Sequence, residues 1–179
     1  KDGSMEAAID YARNKVAGGG YLMLNQFDNP DNAAMHYKTT GPEIWRDTQG
    51  AVTHFVSAMG TTGTIMGVSK FLKEQNAKVE IAGCQPGDGS HIPGIRKWPE
   101  AYLPKIFNRQ MLDRVIEVDE ADARIMAKRL AKEEAIFSGM SSGGAVYAAV
   151  ELSKQLTSGT IVCIICDRGD RYLSSDLFD

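Results

Sequence analysis

The sequence predicts an α/β protein built on a mostly parallel sheet with helices over both faces. Three observations carry this. Short β-rich runs at residues 53–57, 79–84, 114–118 and 161–166 are separated by stretches of helical periodicity. The runs are apolar throughout rather than alternating, as in strands covered on both faces. The turns after the first and the last run are rich in Gly, Thr and Asp, at the strand ends where parallel sheets hold ligands.

Taken in order, residues 5–16 read as an amphipathic helix stopped by Gly18, Gly19 and Gly20. Residues 21–24 follow as a short strand. Residues 31–38 and 42–48 are two helical pieces with a break at 39–41. The second has Thr40 and Glu43 at capping-box spacing and Pro42 in its first turn. The strand at 53–57, a helix at 64–75 and the strand at 79–84 make one βαβ unit. Residues 85–105 are dense in Gly and Pro and read as an ordered loop. After it come the strand at 114–118, helices at 120–134 and 142–155, and the strand at 161–166.

A chain of 179 residues holds one domain, or one domain and part of another, and buries a real core. With 43% apolar residues, 24% charged residues and a net charge of −3, nothing recruits nucleic acid or an anionic membrane, so a small-molecule partner is expected. No apolar run reaches about 18 residues and the N-terminus lacks the shape of a signal peptide, which predicts a cytoplasmic protein. Of the three cysteines, Cys163 and Cys166 have C-x-x-C spacing. On one continuous strand, residues three apart face opposite sides, and His36, His54 and His91 do not cluster with cysteine. No metal site is expected.

The strongest chemical feature is Gly60-Thr61-Thr62-Gly63-Thr64, between a strand and a helix. Backbone N–H groups, the positive end of a helix dipole and threonine hydroxyls meet there, which suits a phosphate monoester. No G-K-[ST] ends the loop and it is not G-x-G-x-x-G, so nucleoside triphosphates and dinucleotides are poorly supported. A ligand-free glycine turn is the plain alternative. Gly139-Met140-Ser141-Ser142-Gly143-Gly144 opens another helix, with Ser141 or Ser142 as a candidate N-cap. Asp167-Arg168-Gly169-Asp170 follows the last strand.

These motifs resemble the cysteine synthases, a family of fold-type II pyridoxal-phosphate (PLP) enzymes. The resemblance runs over the whole chain and is carried by Gly60 to Thr64, by Asn25-Gln26-Phe27-Asp28-Asn29-Pro30, by residues 139–144, and by Gln85-Pro86 through Ile92-Pro93-Gly94-Ile95. Pro93-Gly94-Ile95-Arg96-Lys97-Trp98 and Cys166-Asp167-Arg168-Gly169-Asp170-Arg171 are more similar to the B isozymes than to the A isozymes. The resemblance implies a three-layer sandwich of the tryptophan synthase β type, incomplete at the N-terminus. Residues 1–29 would be the remnant of a smaller domain and residues 30–179 the larger PLP-binding domain. It implies that Gly60, Thr61, Thr62, Gly63 and Thr64 hold the cofactor phosphate and that Ser141 bonds the pyridine nitrogen. Gln26 would lie near the substrate carboxylate, Arg96 near the pocket mouth where an anionic sulfur donor enters, and Asp167 close to the cofactor. A solvated basic pair, Arg96 and Lys97, is the bland alternative at that position.

By the same resemblance, the Schiff-base lysine and the Ser/Thr-Gly-Asn-Thr loop precede this stretch of chain, and no lysine here falls in a matching motif. The implied activity of the intact protein is β-replacement, making L-cysteine or S-sulfocysteine from O-acetyl-L-serine with sulfide or thiosulfate, in a homodimer. The chain alone is expected to be inactive without its missing N-terminal part. The alternatives are a serine or threonine dehydratase of the same fold and a non-catalytic module that binds a phospho-ligand or a partner.

Overall fold

The computed structural model describes residues 4–179; residues 1–3, where the first expected domain begins, lie outside the described residues. Helix α1, Met5–Ala17, starts where Ser4 Oγ accepts from Ala7 N at 3.3 Å and ends at Gly18, after which Gly19 turns to φ +85°. Helix α2, Pro30–Lys38, is capped by Asn29, whose Oδ1 accepts from Asp31 N, with Pro30 in the first turn where its missing N–H costs nothing. Helix α3, Thr40–Asp47, follows after Thr39 alone.

The strands are β1, His54–Ala58; β2, Glu80–Pro86; β3, Arg114–Val118; and β4, Ile161–Cys163. Helix α4, Gly63–Gln75, connects β1 to β2, while α5, Glu120–Glu133, and α6, Met140–Ser153, lie between β3 and β4. The four strands pair in parallel, in the order β3-β2-β1-β4. Successive residues of β1 and β2 feed two different cores, as a pleated strand requires. Phe55 and Ile81 pack with Ile65, Val68 and Leu72 of α4 on one face. Val56, Ala82 and Cys84 pack with Ala123 and Ala127 of α5 and Ala148 and Leu152 of α6 on the other. Phe55, Ile65, Leu72 and Ile81 are fully buried, each contributing on the order of 2 kcal/mol.

Helix α2 lies directly on α4 because residue 67 is glycine. A Cβ there would sit 2.2 Å from the Ala33 carbonyl oxygen and 2.7 Å from His36 Cβ. The close approach brings Asn32 and His36, one turn apart on α2, onto the start of α4.

Several expectations need correction. Residues 21–24 form no strand, and Leu22 and Leu24 are 87% and 76% exposed. An isolated strand has no neighbour to take its backbone hydrogen bonds, and none is present among the described residues. The Thr40–Glu43 capping box is absent: the Thr39 carbonyl accepts from Glu43 N, and Thr40 Oγ1 bonds His36 Nδ1 instead. The last strand stops at Cys163, not Cys166, so Cys166 is not turned away from Cys163 by a strand's alternation. Among the described residues no group of three or more His, Cys, Asp or Glu side chains is placed to hold a metal ion. No described helix is long and apolar enough to cross a membrane.

Candidate functional site

The loops after β1 and β4 leave the sheet at the same end, and the crevice between them is where a parallel sheet binds its ligand. A cavity of about 300 Å³ occupies it, lined on one side by Gly60, Thr61, Thr62 and Thr64 and on the other by Ser141, Cys166, Asp167 and Tyr172. Pro93 and Gly94 of the long loop close it. Gly94, at φ +89°, needs its glycine twice over, since a Cβ would also lie 3.1 Å from Ser141 Oγ.

The β1–α4 loop is built to donate. Neither Thr61 N–H nor Thr62 N–H reaches a protein acceptor among the described residues. In the first turn of α4, Gly63 N donates to Thr61 Oγ1 at 3.3 Å, while the N–H groups of Thr64 and Ile65 have no partner within the helix and add to the free donors. Thr62, only 4% exposed, is held at φ +70°, and its Oγ1 is buried without a hydrogen-bond partner. An orphaned buried hydroxyl beside free backbone donors calls for a hydrogen-bond partner from outside the chain.

The loop is braced from behind by residues that sequence reasoning passed over. Asn32 Nδ2 donates to Thr61 Oγ1 at 3.0 Å and to the Gln26 carbonyl at 2.7 Å. His36 Nε2 bonds Thr64 Oγ1 at 3.2 Å and its Nδ1 bonds Thr40 Oγ1 at 2.9 Å. Burial depresses the His36 pKa, which favours the neutral ring. Trp98 Nε1 donates to the Gly60 carbonyl at 2.7 Å. The i, i+4 spacing of Asn32 and His36 on one helix face was a legible signal; nothing local marked Trp98.

The opposite wall is organised by Asp167. Its carboxylate accepts from Gly139 N at 3.1 Å, Ser141 N at 3.1 Å and Ser142 N at 3.0 Å, and also from Ser142 Oγ and Tyr172 OH. Burial alone would raise its pKa, but the Ser142, Tyr172 and Ser141 hydrogen bonds outweigh burial and hold it below the usual carboxylate range. Burial, with Asp167 beside it, pushes the Tyr172 phenol up. Neither Ser141 nor Ser142 is the N-cap of α6. That position is Gly139, which has no side chain, so the capping group comes from Asp167, on the same wall after β4. Ser141 Oγ is thereby left facing the cavity, with Cys166 Sγ 3.3 Å away.

The cavity thus gathers Gly60, Thr61, Thr62, Thr64, Ser141 and Asp167, with Gly63 in the first turn of α4 behind it. Gln26 is exposed, and its carbonyl is linked to the loop through Asn32. Arg96 lines a separate cavity together with Glu6, Ser90 and His91, while Lys97 beside it is paired with Asp88 and Glu117. Among the described residues, no lysine lines the cavity at Gly60 to Thr64.

Comparison with known proteins adds three findings. The family model for pyridoxal-phosphate dependent enzymes matches residues 1–167. The chain is 55% identical over 179 residues to cysteine synthase B of Pseudomonas aeruginosa and 53% identical over 178 residues to cysteine synthase B of Escherichia coli. It covers 60% and 59% of those two proteins, so it spans about three-fifths of the length of the curated relatives it matches. Among solved structures, cysteine synthase of Entamoeba histolytica superposes with a TM-score of 0.87 at 36% identity, over 98% of this chain and 55% of that one. O-ureido-L-serine synthase, in a variant with O-ureido-L-serine bound, gives a TM-score of 0.90 at 32% identity, over 97% and 57%.

Proposed function

Because the chain belongs to the pyridoxal-phosphate dependent enzymes, we propose that the whole protein is a cysteine synthase of the B type. It makes L-cysteine or S-sulfocysteine from O-acetyl-L-serine and sulfide or thiosulfate, as a cytoplasmic homodimer. The observation that carries this is the identity of 55% with a cysteine synthase B along the full chain. The site fits the cofactor: free donors and the orphaned Thr62 Oγ1 suit a phosphate, and Ser141 Oγ faces the same space. When bound, PLP supplies the electron sink for exchange of the substituent at Cβ.

In this reading the residues Gly60 to Thr64 bind the phosphate and Ser141 meets the ring nitrogen. A neutral hydroxyl there does little to hold a proton on the ring, which favours β-elimination over deeper carbanion chemistry. Asp167 keeps Ser141 in place rather than meeting substrate. Gln26 serves the substrate carboxylate and Arg96 draws in the anionic sulfur donor from the cavity it lines. We take residues 1–29 as part of a smaller domain, supported by the exposure of Tyr21, Leu22 and Leu24. We also propose that the anchoring lysine lies outside this chain, supported by the absence of lysine around the cavity among the described residues.

The test is turnover by the whole protein. Visible absorbance that borohydride reduces, with product from O-acetylserine and none from serine, is the expected result. Turnover of serine instead indicates a dehydratase. A colourless protein without turnover indicates the non-catalytic phospho-ligand module, the second reading that the lysine-free cavity favours.

The Thr62 backbone allows a sharper check. A β-branched residue at φ +70° is strained, so Thr62→Gly is expected to raise stability by about 1 kcal/mol in urea unfolding. The same change removes the orphaned hydroxyl, and PLP affinity is expected to fall roughly tenfold.

A further inference from the structure

We infer that Trp98 is a positioning residue of the phosphate loop, acting through the Gly60–Thr61 peptide. The inference rests on reading Gly60 to Thr64 as the phosphate site. The indole Nε1 donates to Gly60 O at 2.7 Å. No described peptide bond is cis, so the C=O and N–H of that peptide unit point in opposite directions. Gly60 and Thr61 line the cavity and Trp98 does not. Holding the carbonyl toward Trp98 therefore turns Thr61 N–H to the cavity side, where it has no protein acceptor. Without that anchor the unit can tilt about the Gly60 Cα–C bond, which glycine leaves less restricted than other residues do, and a tilted unit would aim the Thr61 N–H away from the phosphate.

Trp98 is itself fixed. Arg96 N donates to Met59 O at 2.8 Å, which pins the strand of loop carrying Trp98 beside the end of β1. The Trp98 ring meets buried Phe27 edge-on, with centroids 5.3 Å apart and planes at 75°. Phe27 adjoins Gln26, whose carbonyl takes the Asn32 amide that also reaches Thr61 Oγ1. Two separate links therefore tie the turn before α2 to the phosphate loop, and Trp98 supplies the one that sets a peptide's orientation.

The experiment compares wild type with Trp98→Phe, which keeps an aromatic ring against Phe27 and removes the N–H. Binding of PLP and of pyridoxal is measured by titration, together with the 31P resonance of bound PLP and the melting temperature. The expected result is a PLP affinity lower by about tenfold with pyridoxal affinity unchanged within about twofold. The 31P resonance should shift. Trp98→Leu, which also loses the ring, should lower the melting temperature further and show the same discrimination. Unchanged PLP affinity and 31P resonance in Trp98→Phe overturn the inference, as do equal losses for both ligands, which would mean general loosening. A wild-type protein that binds PLP no better than pyridoxal overturns the phosphate reading itself, and the inference with it.

Discussion

Asp167→Ala is expected to cost about 3 kcal/mol of stability, measured by urea unfolding at pH 7. One carboxylate satisfies the N–H groups of Gly139, Ser141 and Ser142 at the start of α6 and two hydroxyls besides. Its loss leaves those donors unpaired and removes the negative charge from the positive end of the helix. The same carboxylate makes stability depend on acid. Its folded pKa is held below the ordinary value, so it contributes stability above the unfolded pKa of about 4, and that contribution is lost as pH falls through the folded pKa. Unfolding midpoints measured from pH 7 down to about pH 3 should fall for wild type, and this component should be missing in Asp167→Asn. A wild-type and an Asp167→Asn protein with parallel acid profiles would refute the assignment. Because Ser141 is held by the same carboxylate, the Asn variant should also change the absorbance of bound PLP.

Gly67→Ala is the second large effect. Alanine is the better helix former by about 1 kcal/mol, which alone would stabilise α4. Space decides otherwise. The new Cβ would stand 2.2 Å from the backbone oxygen of Ala33 and 2.8 Å from Tyr37 N, and backbone atoms cannot yield as a flexible side chain does. Helix α2 must move off α4 at a cost of up to about 3 kcal/mol, leaving a net loss on the order of 2 kcal/mol. The displacement carries Asn32 and His36 away from Thr61 and Thr64, so PLP affinity should fall along with the melting temperature. A stabilised protein with intact PLP binding would show that α2 does not brace the loop.

The helices and strands of the sheet were legible because their signals are local. The alternation of apolar runs with helical periods placed β1 to β4 and α4 to α6 within a few residues. The residues 21–24 misled for the complementary reason: an apolar run states a capacity to pair, and pairing needs a neighbour. Likewise the serines before α6 look like caps, yet the helix is capped by a residue 25 positions or more away in sequence, which no local pattern encodes.

What the sequence determined by itself is the parallel α/β frame, the donor-rich loop at Gly60 to Thr64 and the family to which its motifs belong. Each follows from residue type and spacing along a few turns of chain. Only the tertiary structure decided which groups face the cavity. It assigned Asp167 to the start of α6, placed Arg96 in the lining of another cavity, and brought Asn32, His36 and Trp98 behind the loop. Those assignments depend on distances between segments far apart in the chain. Such distances are set by how closely helices and loops pack on the sheet, down to the missing Cβ of Gly67.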